Sequence, residues 1–364
     1  MKKHTKVAGR LTIGVDVGDR LSHVCVLDES GAMIEESRLA TTPIAFRRRF
    51  GSCASARVAL EVGAHSPWVE RLLKDCGHEV FVANPRKLRM IYENDRKTDR
   101  VDAEWLARVA RLDPKLLAPI QHRTGSCQQD LAMLRARDAL VVARTRLVNH
   151  VRGAVKAVGA RVVKCSTASF HRQALVGIPE ELKPALTCII KTIESLTVDI
   201  HMMEKKIQLM ARERYPETQL LQQVTGVGPL TATSFVLTIE DPDRFRTNRS
   251  LGAYLGLTPR RCQSGGNDPQ MRITKAGDAH LRRLLVGSSH YILGPFGPDS
   301  DLRRWGLALA QRGGKNAKKR AVVAVARKLA VLLHSLWRTA EVYEPLRNTL
   351  RRARQDGQTK RISA

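Results

Sequence analysis

The most constraining feature of this sequence is an apolar repeat near the middle of the chain. Apolar residues recur at alternating intervals of four and three over about four heptads: Leu182, Leu186, Ile189, Ile193, Leu196, Ile200, Met203, Ile207 and Met210. This alternation is typical of a left-handed coiled-coil seam, so it predicts one long helix. Its partner is either the charged helix predicted from Ser126 to about Val158, folded back across a break at residues 177–179, or a helix of another subunit.

The first hundred residues instead alternate between strands and helices. Short apolar runs predict strands at residues 11–18, 22–28, 31–40, 56–62 and 78–85. The first two strands form a hairpin, and the last two flank a helix with Ser66 as N-cap, Pro67 at its first position and Gly77 as its stop. We therefore expect an α/β sheet of mixed direction, followed after Arg123 by long helices.

The charge balance indicates what such a chain binds. Its 364 residues contain 62 Lys and Arg against 35 Asp and Glu, for a formal net charge of +27 spread over the whole chain. A polyanion is the expected partner, with nucleic acid as the first candidate and a membrane surface as the rival. No apolar run approaches the roughly 20 residues of a spanning helix, and no apolar region follows the basic start. We therefore expect no membrane span, no signal peptide and a cytoplasmic protein.

The cysteines support the same compartment. They are odd in number and scattered: Cys25, Cys53, Cys76, Cys127, Cys165, Cys188 and Cys262. Because none forms a C-x-x-C pair, neither a zinc ribbon nor a disulfide framework is expected. We interpret them as reduced thiols, mostly small core residues.

Carboxylates stand at unusual places in the predicted α/β part. Asp16 interrupts an apolar strand, and Glu61 ends another. Asp99 and Asp102 lie three apart at the start of a helical stretch, so they point the same way. Each acid can be a solvated side chain, and the last two also suit the positive end of a helix dipole. Together the four suggest a pair of Mg²⁺ ions acting on phosphates, with cations nearby to hold the polyanion: Lys97, Arg100, Arg108 and Arg111.

The C-terminal region carries basic loops beside small residues. Gly226 and Gly228 form a turn of the helix-hairpin-helix kind, which either exposes backbone N–H groups to a phosphate or only connects two helices tightly. A second loop, Ser264-Gly265-Gly266, would let a DNA backbone approach closely. Basic side chains predicted to bind nucleic acid surround this loop and a later one: Arg260, Arg261, Arg272, Lys275, Arg282, Arg283, Lys315, Lys318, Lys319 and Arg320.

Five motifs together resemble the DEDD transposases of insertion sequences. They are "GVDVG" with Asp16, "ALEVG" with Glu61, "KTDRVDA" with Asp99 and Asp102, "YLGLTPRRCQSGG", and "ITKAGDAHLRRLL". The resemblance covers nearly the whole chain, to about Pro345. The family includes a pilin-gene inverting recombinase and recombinases guided by a bridge RNA.

The resemblance implies a fold, a cofactor and partners. It implies an N-terminal RNase H-like domain of the RuvC type that binds Mg²⁺ through the four acids. It also implies that the serine of "QSGG", Ser264, attacks a DNA phosphate and forms a covalent 5′-phosphoserine link. It further implies double-stranded donor and target DNA, a structured bridge RNA, and active sites shared between the subunits of a dimer or tetramer.

We divide the chain accordingly into a RuvC-like catalytic domain at residues 1–124, a coiled-coil segment at 125–214, a mainly helical transposase domain at 215–346 and a basic tail at 347–364. Ser264 has no neighbouring histidine in the sequence. Its activation therefore needs His280 or His290 brought in by folding, or the metal site. Cys262 is a competing nucleophile without a role in the family pattern.

Other functions place different demands on the sequence. An actin-like ATPase would need a second Asp-containing phosphate loop, and a tyrosine recombinase would need an Arg-His-Arg constellation with a downstream Tyr; neither is found. A binding scaffold would have lost the acids. A RuvC-like junction nuclease would use the same acids with water as nucleophile. We therefore expect an insertion-sequence transposase in the bacterial cytoplasm, at the nucleoid, with a junction nuclease as the alternative.

Overall fold

The chain divides after Thr124 into two units, Met1–Thr124 and Gly125–Ala364. The computed structural model describes residues 10–87, 98–245, 247–269 and 271–351. Lys97 and the part of the basic tail beyond residue 351 lie outside the described residues. The division of the chain into four parts stays a prediction.

A five-stranded sheet forms the centre of the first unit. Its strands are β1 (Thr12–Val17), β2 (Leu21–Leu27), β3 (Met33–Ala40), β4 (Arg57–Glu61) and β5 (Glu79–Ala83). Their order is β3-β2-β1-β4-β5, with β1, β2 and β3 antiparallel and β1, β4 and β5 parallel. The predicted α/β sheet of mixed direction is therefore confirmed.

Helices cover both faces of this sheet. The helices α1 (Pro43–Phe50) and α2 (Ser66–Asp75) pack on one face, where Phe46 and Phe50 are fully buried against apolar residues of β1 and β4. The helix α3 (Asp99–Leu112) packs on the other face through small residues. The first unit is therefore a three-layer arrangement with apolar cores on both sides of the sheet.

The predicted cap of α2 is wrong by one residue. Ser66 is the first residue of the helix, and His65 precedes it without a capping side-chain hydrogen bond. The Ser66 hydroxyl instead bonds to the backbone of Gly63 and to His122. A serine before a proline is a common N-cap, but here two partners outside the helix hold its hydroxyl.

A long helical hairpin opens the second unit. The helices α4 (Gly125–Ala157) and α6 (Lys183–Arg214) run antiparallel, with the short helix α5 (Phe170–Gln173) in their connection. Asp130 near the start of α4 accepts hydrogen bonds from Arg214 and Tyr215 at the end of α6, at 2.7 and 2.6 Å. The partner of the apolar repeat is therefore the preceding helix of the same chain.

One row of the predicted seam is displaced. Leu186, Ile193, Ile200 and Ile207 are buried, as expected. The second row includes Ile190 and Thr197, while the predicted residues Ile189, Leu196 and Met203 are only half-buried. Arg144 of α4 is buried beside this row, and its Nη1 donates to Thr197 Oγ1 at 3.3 Å. A pattern that counts only apolar residues cannot find this polar pair.

The remaining helices of the second unit share one core. They are α7 (Glu217–Leu221), α8 (Pro229–Ile239), α9 (Asn248–Tyr254), α10 (Ala279–Leu293), α11 (Asp301–Gln311) and α12 (Ala317–Thr339). The core residues of α12 include Val325, Leu329 and Leu333, all fully buried. The prediction of a mostly helical region after the sheet is therefore confirmed. None of the described helices combines the length and the hydropathy of a membrane span.

Candidate active site

Asp16 and Glu61 lie next to each other on parallel strands. The residues that precede them, Val15 on β1 and Leu60 on β4, are partners in the strand register. Adjacent residues in a parallel register point to the same side of the sheet. The two carboxylates therefore share one side of the sheet, at the carboxyl ends of β1 and β4, where both residues are partly exposed.

Gly14 identifies which side this is. A Cβ atom at Gly14 would overlap the backbone of Ala103 and Ala107 in α3, so α3 lies directly against β1. Asp16 follows Gly14 by two residues and so faces the same side. The two acidic residues of the strands therefore lie on the side that α3 covers.

The helix α3 runs so that its first turn lies at the same edge of the sheet. Its far end is fixed at the opposite edge, where Arg57 at the start of β4 donates to the Ala110 carbonyl at 3.0 Å. Thr98 caps the first turn, and the acids of that turn are Asp99, whose side chain is 70% exposed, and Asp102, which is buried. All four acids therefore belong to one edge and one side of the sheet.

His23 is a site residue that the sequence analysis missed. It lies on β2 directly opposite Asp16 in the antiparallel register. Its Nε2 is 3.7 Å from the Asp99 carboxylate, and its side chain is 13% exposed. The predicted hairpin places β2 beside β1, but a turn centred on Gly18 and Asp19 would pair residue 16 with residue 21. The observed register is centred between Asp19 and Arg20 and pairs Asp16 with His23.

The donor set suits a hard cation in its chemistry. Carboxylate oxygens are the ligands that Mg²⁺ prefers, and Asp102 is buried in the first turn of α3. Within the described ranges, however, no three His, Cys, Asp or Glu side chains are arranged to hold a metal ion. The structure thus brings the four acids to one edge without collecting them into a formed metal site.

Ser264 lies in the second unit, at the exposed tip of a hairpin. Its backbone N–H and C=O pair with those of Asn267 at 3.3 and 3.2 Å, across Gly265 and Gly266. Gly265 has a φ of 57°, which glycine adopts without strain. Toward its base the hairpin is closed by a hydrogen bond of 2.9 Å from Arg260 N–H to the Arg272 carbonyl.

The basic residues near Ser264 fall into two groups. Arg260, Arg261, Arg272 and Lys275 are exposed on the hairpin, and Arg261 lies 3.7 Å from the Asp268 carboxylate. These exposed cations surround the serine with positive charge, which suits a polyanion.

The residues of the second group make hydrogen bonds and ion pairs within the protein. Arg282 on α10 donates to the carbonyls of Leu255 and Ala276 at 3.0 and 2.7 Å, and Arg283 pairs with Asp138 of α4. Their place in nucleic-acid binding stays a prediction.

The two histidines considered for Ser264 differ in environment. His280 is buried on α10, with Nδ1 3.4 Å from Asp138, and burial lowers its pKa below the ordinary value. His290 is exposed near the end of the same helix. The activation of Ser264 by either histidine stays a prediction.

The two glycines of the helix-hairpin-helix turn have different surroundings. Gly226 has a φ of 92°, and a Cβ there would crowd Tyr291 and Ile292 of α10. Gly228 precedes α8, and no atom lies within 4 Å of the position that its Cβ would take. Tight packing therefore explains Gly226. The space beside Gly228 is open, and a phosphate contact there stays a prediction.

The basic residues of the last loop stand at the start of α12. Lys315 precedes the helix, and Lys318, Lys319 and Arg320 occupy its first turn, all of them exposed. Cations are unfavourable at the positive end of a helix dipole, so this cluster does not stabilise the helix. Nucleic-acid binding by these residues stays a prediction.

Comparison with known proteins identifies the class and the family. A family model described as a transposase, of the DEDD type of IS110, matches residues 13–159, and that of the IS116/IS110/IS902 transposase family matches residues 218–292. Together they match more than half of the chain. The fold and these matches define a DNA-processing enzyme. The chain belongs to the IS110-type DEDD transposases of insertion sequences.

Individual relatives agree with this assignment. The chain is 28% identical over 342 residues to the transposase for insertion sequence element IS1111A of Coxiella burnetii, covering 91% of this chain and 90% of that protein. It is also 28% identical to a probable family 20 transposase of Pseudomonas aeruginosa, covering 92% and 98%. A pilin gene-inverting protein of Moraxella lacunata is 27% identical over 146 residues, or 40% of this chain and 44% of that protein.

Proposed function

We propose that this transposase cleaves and exchanges DNA strands with Ser264 as nucleophile and Mg²⁺ held by Asp16, Glu61, Asp99 and Asp102. The observation that carries the proposal is the meeting of all four acids at one edge of the sheet in one unit, while an exposed serine stands on a basic hairpin in the other. The strand order β3-β2-β1-β4-β5 supports an RNase H-like, RuvC-type first domain.

The proposed reaction is a phosphoryl transfer. Ser264 Oγ gives up its proton and attacks a DNA phosphorus, the bond from phosphorus to the 3′ oxygen breaks, and the departing oxygen takes up a proton. The products are a 5′-phosphoserine ester and a free 3′ hydroxyl. Rejoining reverses these steps with a 3′ hydroxyl of another strand. Bound Mg²⁺ would supply charge stabilisation for the attacking and departing oxygens. The exposed arginines of the hairpin bind the phosphates that flank the reacting one.

The partners follow from the same proposal. Double-stranded donor and target DNA bind across the exposed cations, and a structured bridge RNA encoded beside the element guides target choice. The chain acts as a dimer or tetramer, in which the hairpin of α4 and α6 extends to a coiled coil between subunits. Exposed apolar residues on α6, Val198, Met202 and Leu209, support such a contact. The protein acts in the cytoplasm, at the nucleoid.

Covalent trapping tests this proposal. The full chain is incubated with supercoiled DNA carrying the element ends, Mg²⁺ and the flanking RNA, and is then denatured. We expect a DNA–protein adduct that Ser264→Ala abolishes and that Cys262→Ala, a change of an exposed nucleophile two residues away, leaves intact. We expect Asp16→Asn and Asp102→Asn to abolish both the adduct and the nicking.

Two results would contradict the proposal. Nicked DNA without an adduct, formed equally by Ser264→Ala, would show that water is the nucleophile and would favour a RuvC-like junction nuclease. Full activity of Asp16→Asn and Asp102→Asn would show that the acids do not form the active site.

A further inference from the structure

A second cluster of reactive side chains lies in the first unit, outside the four acids. Ser66 Oγ is 3.0 Å from His122 Nε2, and His122 Nδ1 contacts the Glu70 carboxylate. Lys74 Nζ donates to the same carboxylate at 2.7 Å. The Glu70 side chain is 5% exposed and that of His122 is 13% exposed. Burial raises the pKa of Glu70, but the hydrogen bonds from His122 and Lys74 outweigh it and keep that pKa below the ordinary value.

The cluster has the connectivity of a hydrolase triad but not its accessibility. Ser66 is fully buried, so no substrate reaches its hydroxyl. That hydroxyl is also occupied, because it donates to the Gly63 carbonyl at 2.8 Å and accepts from the Gly63 N–H at 3.0 Å. A nucleophilic serine must be free to give its proton to the histidine. The cluster is therefore not a second catalytic site.

The contacts of the cluster form one continuous series. The Ser66 hydroxyl donates to the Gly63 carbonyl and lies within hydrogen-bond distance of His122 Nε2. The other ring nitrogen of His122, Nδ1, contacts the Glu70 carboxylate. Glu70, His122, Ser66 and Gly63 are therefore linked one to the next.

This chain of hydrogen bonds ends at the turn that follows Glu61. Glu61 is the last residue of β4, and Val62 N–H still bonds to the Ala83 carbonyl at 3.2 Å. Gly63 is the next residue, and the Ser66 hydroxyl holds both its N–H and its carbonyl. His122 lies 56 residues further along the sequence than Ser66, just before the first unit ends at Thr124. The cluster therefore connects the end of the unit to the backbone beside a candidate metal ligand.

We propose that Ser66, His122 and Glu70 are positioning residues that fix the Glu61 carboxylate for metal binding. The inference rests on the proposed function, because it assumes that Glu61 is a ligand. Groups that orient metal ligands typically change metal affinity by about 10- to 100-fold when they are removed.

The test compares two buried histidines of the same unit in the full chain. His122→Asn keeps a donor for Glu70 but does not reach Ser66, while His122→Gln keeps a donor for Ser66. The matched control is His78→Asn. His78 is also buried, accepts from the Ala56 N–H at 3.2 Å and lies 3.1 Å from the Phe50 carbonyl, at the opposite end of β4 from Glu61. The readouts are the Mg²⁺ concentration that gives half-maximal DNA cleavage and the amide hydrogen exchange of residues 61–66.

We expect His122→Asn to raise the half-maximal Mg²⁺ concentration by about tenfold, with the maximal rate unchanged and with faster exchange at residues 61–66. We expect His122→Gln to restore most of the affinity and His78→Asn to leave it unchanged. We expect Ser66→Ala, which removes a single oxygen atom, to give the same shift as His122→Asn. Ser66→Ala therefore provides the test if the His122→Asn chain does not fold.

The variant Glu61→Gln distinguishes a failure of the positioning role from a failure of the proposed function. If Glu61→Gln abolishes cleavage but His122→Asn and Ser66→Ala need no more Mg²⁺ than His78→Asn, the positioning role is wrong and the proposed function stands. If Glu61→Gln cleaves DNA at the unaltered Mg²⁺ dependence, the assignment of Glu61 as a ligand is wrong.

Discussion

Single residues show that the α3 side of the sheet is buried only a short distance from its acidic edge. Cys25 follows His23 by two residues on β2, so it faces the same side, where it packs with Ala103 and Ala107. Burial, assisted by the negative charge of Glu104, raises the pKa of its thiol to about 11. Solvent is therefore excluded from this side of the sheet at Cys25, whose strand partner Gly14 lies two residues before Asp16. A buried thiol there is an inert packing group.

Thiol labelling tests this contrast. Because only the thiolate reacts and the thiol of Cys25 ionises near pH 11, we expect iodoacetamide to leave Cys25 unmodified between pH 7 and 9.5 in the folded chain. Cys188 and Cys262 are exposed and serve as internal controls that react over this range. Peptide mass spectrometry measures the extent of labelling. Labelling of Cys25 at a rate similar to that of Cys188 at pH 8.5 would show that this side of the sheet is open to solvent.

At the scale of elements, the contact between β1 and α3 decides whether the acids meet. Two acids belong to strands and two to a helix, so their separation depends on how closely the helix approaches the sheet. Gly14 permits this approach, because any side chain there would meet the backbone of α3. Small residues of α3, Ala103 and Ala107, complete the contact.

Enlarging Gly14 is therefore expected to affect stability and the site together. We expect Gly14→Val to destabilise the fold by about 1–3 kcal/mol, the usual cost of overpacking, and to abolish Mg²⁺-dependent cleavage. Gly153→Ala in α4 is the control, since no atom lies within 4 Å of its Cβ position. Urea unfolding gives the stability. A Gly14→Val chain as stable as the unaltered protein would show that α3 does not need this close approach.

At the scale of the whole molecule, the effect of the +27 charge on DNA binding depends on which cations are not already paired within the protein. Many arginines are held in ion pairs or bonded to carbonyls, including Arg57, Arg282 and Arg303. The lysines at the start of α12 are exposed and clustered. Free, clustered cations release counterions when they bind phosphates, so we expect these lysines, and not the net charge, to set the salt dependence of DNA binding.

Salt titration tests whether the clustered lysines or the net charge determine the salt dependence of DNA binding. We expect the triple variant of Lys315, Lys318 and Lys319 to Ala to reduce the slope of log K against log salt by roughly three, at about 0.9 per lost phosphate contact. The matched control removes three exposed lysines of α6: Lys191, Lys205 and Lys206. It changes the net charge equally, and we expect it to leave the slope unchanged. Equal effects of the two variants would show that DNA binding follows net charge alone.

Much of the fold was accessible from local sequence patterns. Short apolar runs predicted the five strands, and the apolar repeat predicted the long helix of the hairpin, because both patterns are local properties of regular structure. The helix α1, at Pro43–Phe50, was not predicted. The polar residue Thr197 in the seam was also missed, because its burial depends on Arg144 of another helix.

The residues themselves were enough to identify the family, to predict the order of the strands and the long helices, and to propose the four acids, because strand and helix periods and the motif "KTDRVDA" are local properties of the chain. Only the tertiary structure decided what surrounds those acids. His23 lies 3.7 Å from Asp99, a residue of another element, and His122 reaches Ser66 from 56 residues away. Contacts of this kind join residues that are distant in sequence, and their distances depend on the packing of sheet and helix, which no local pattern records.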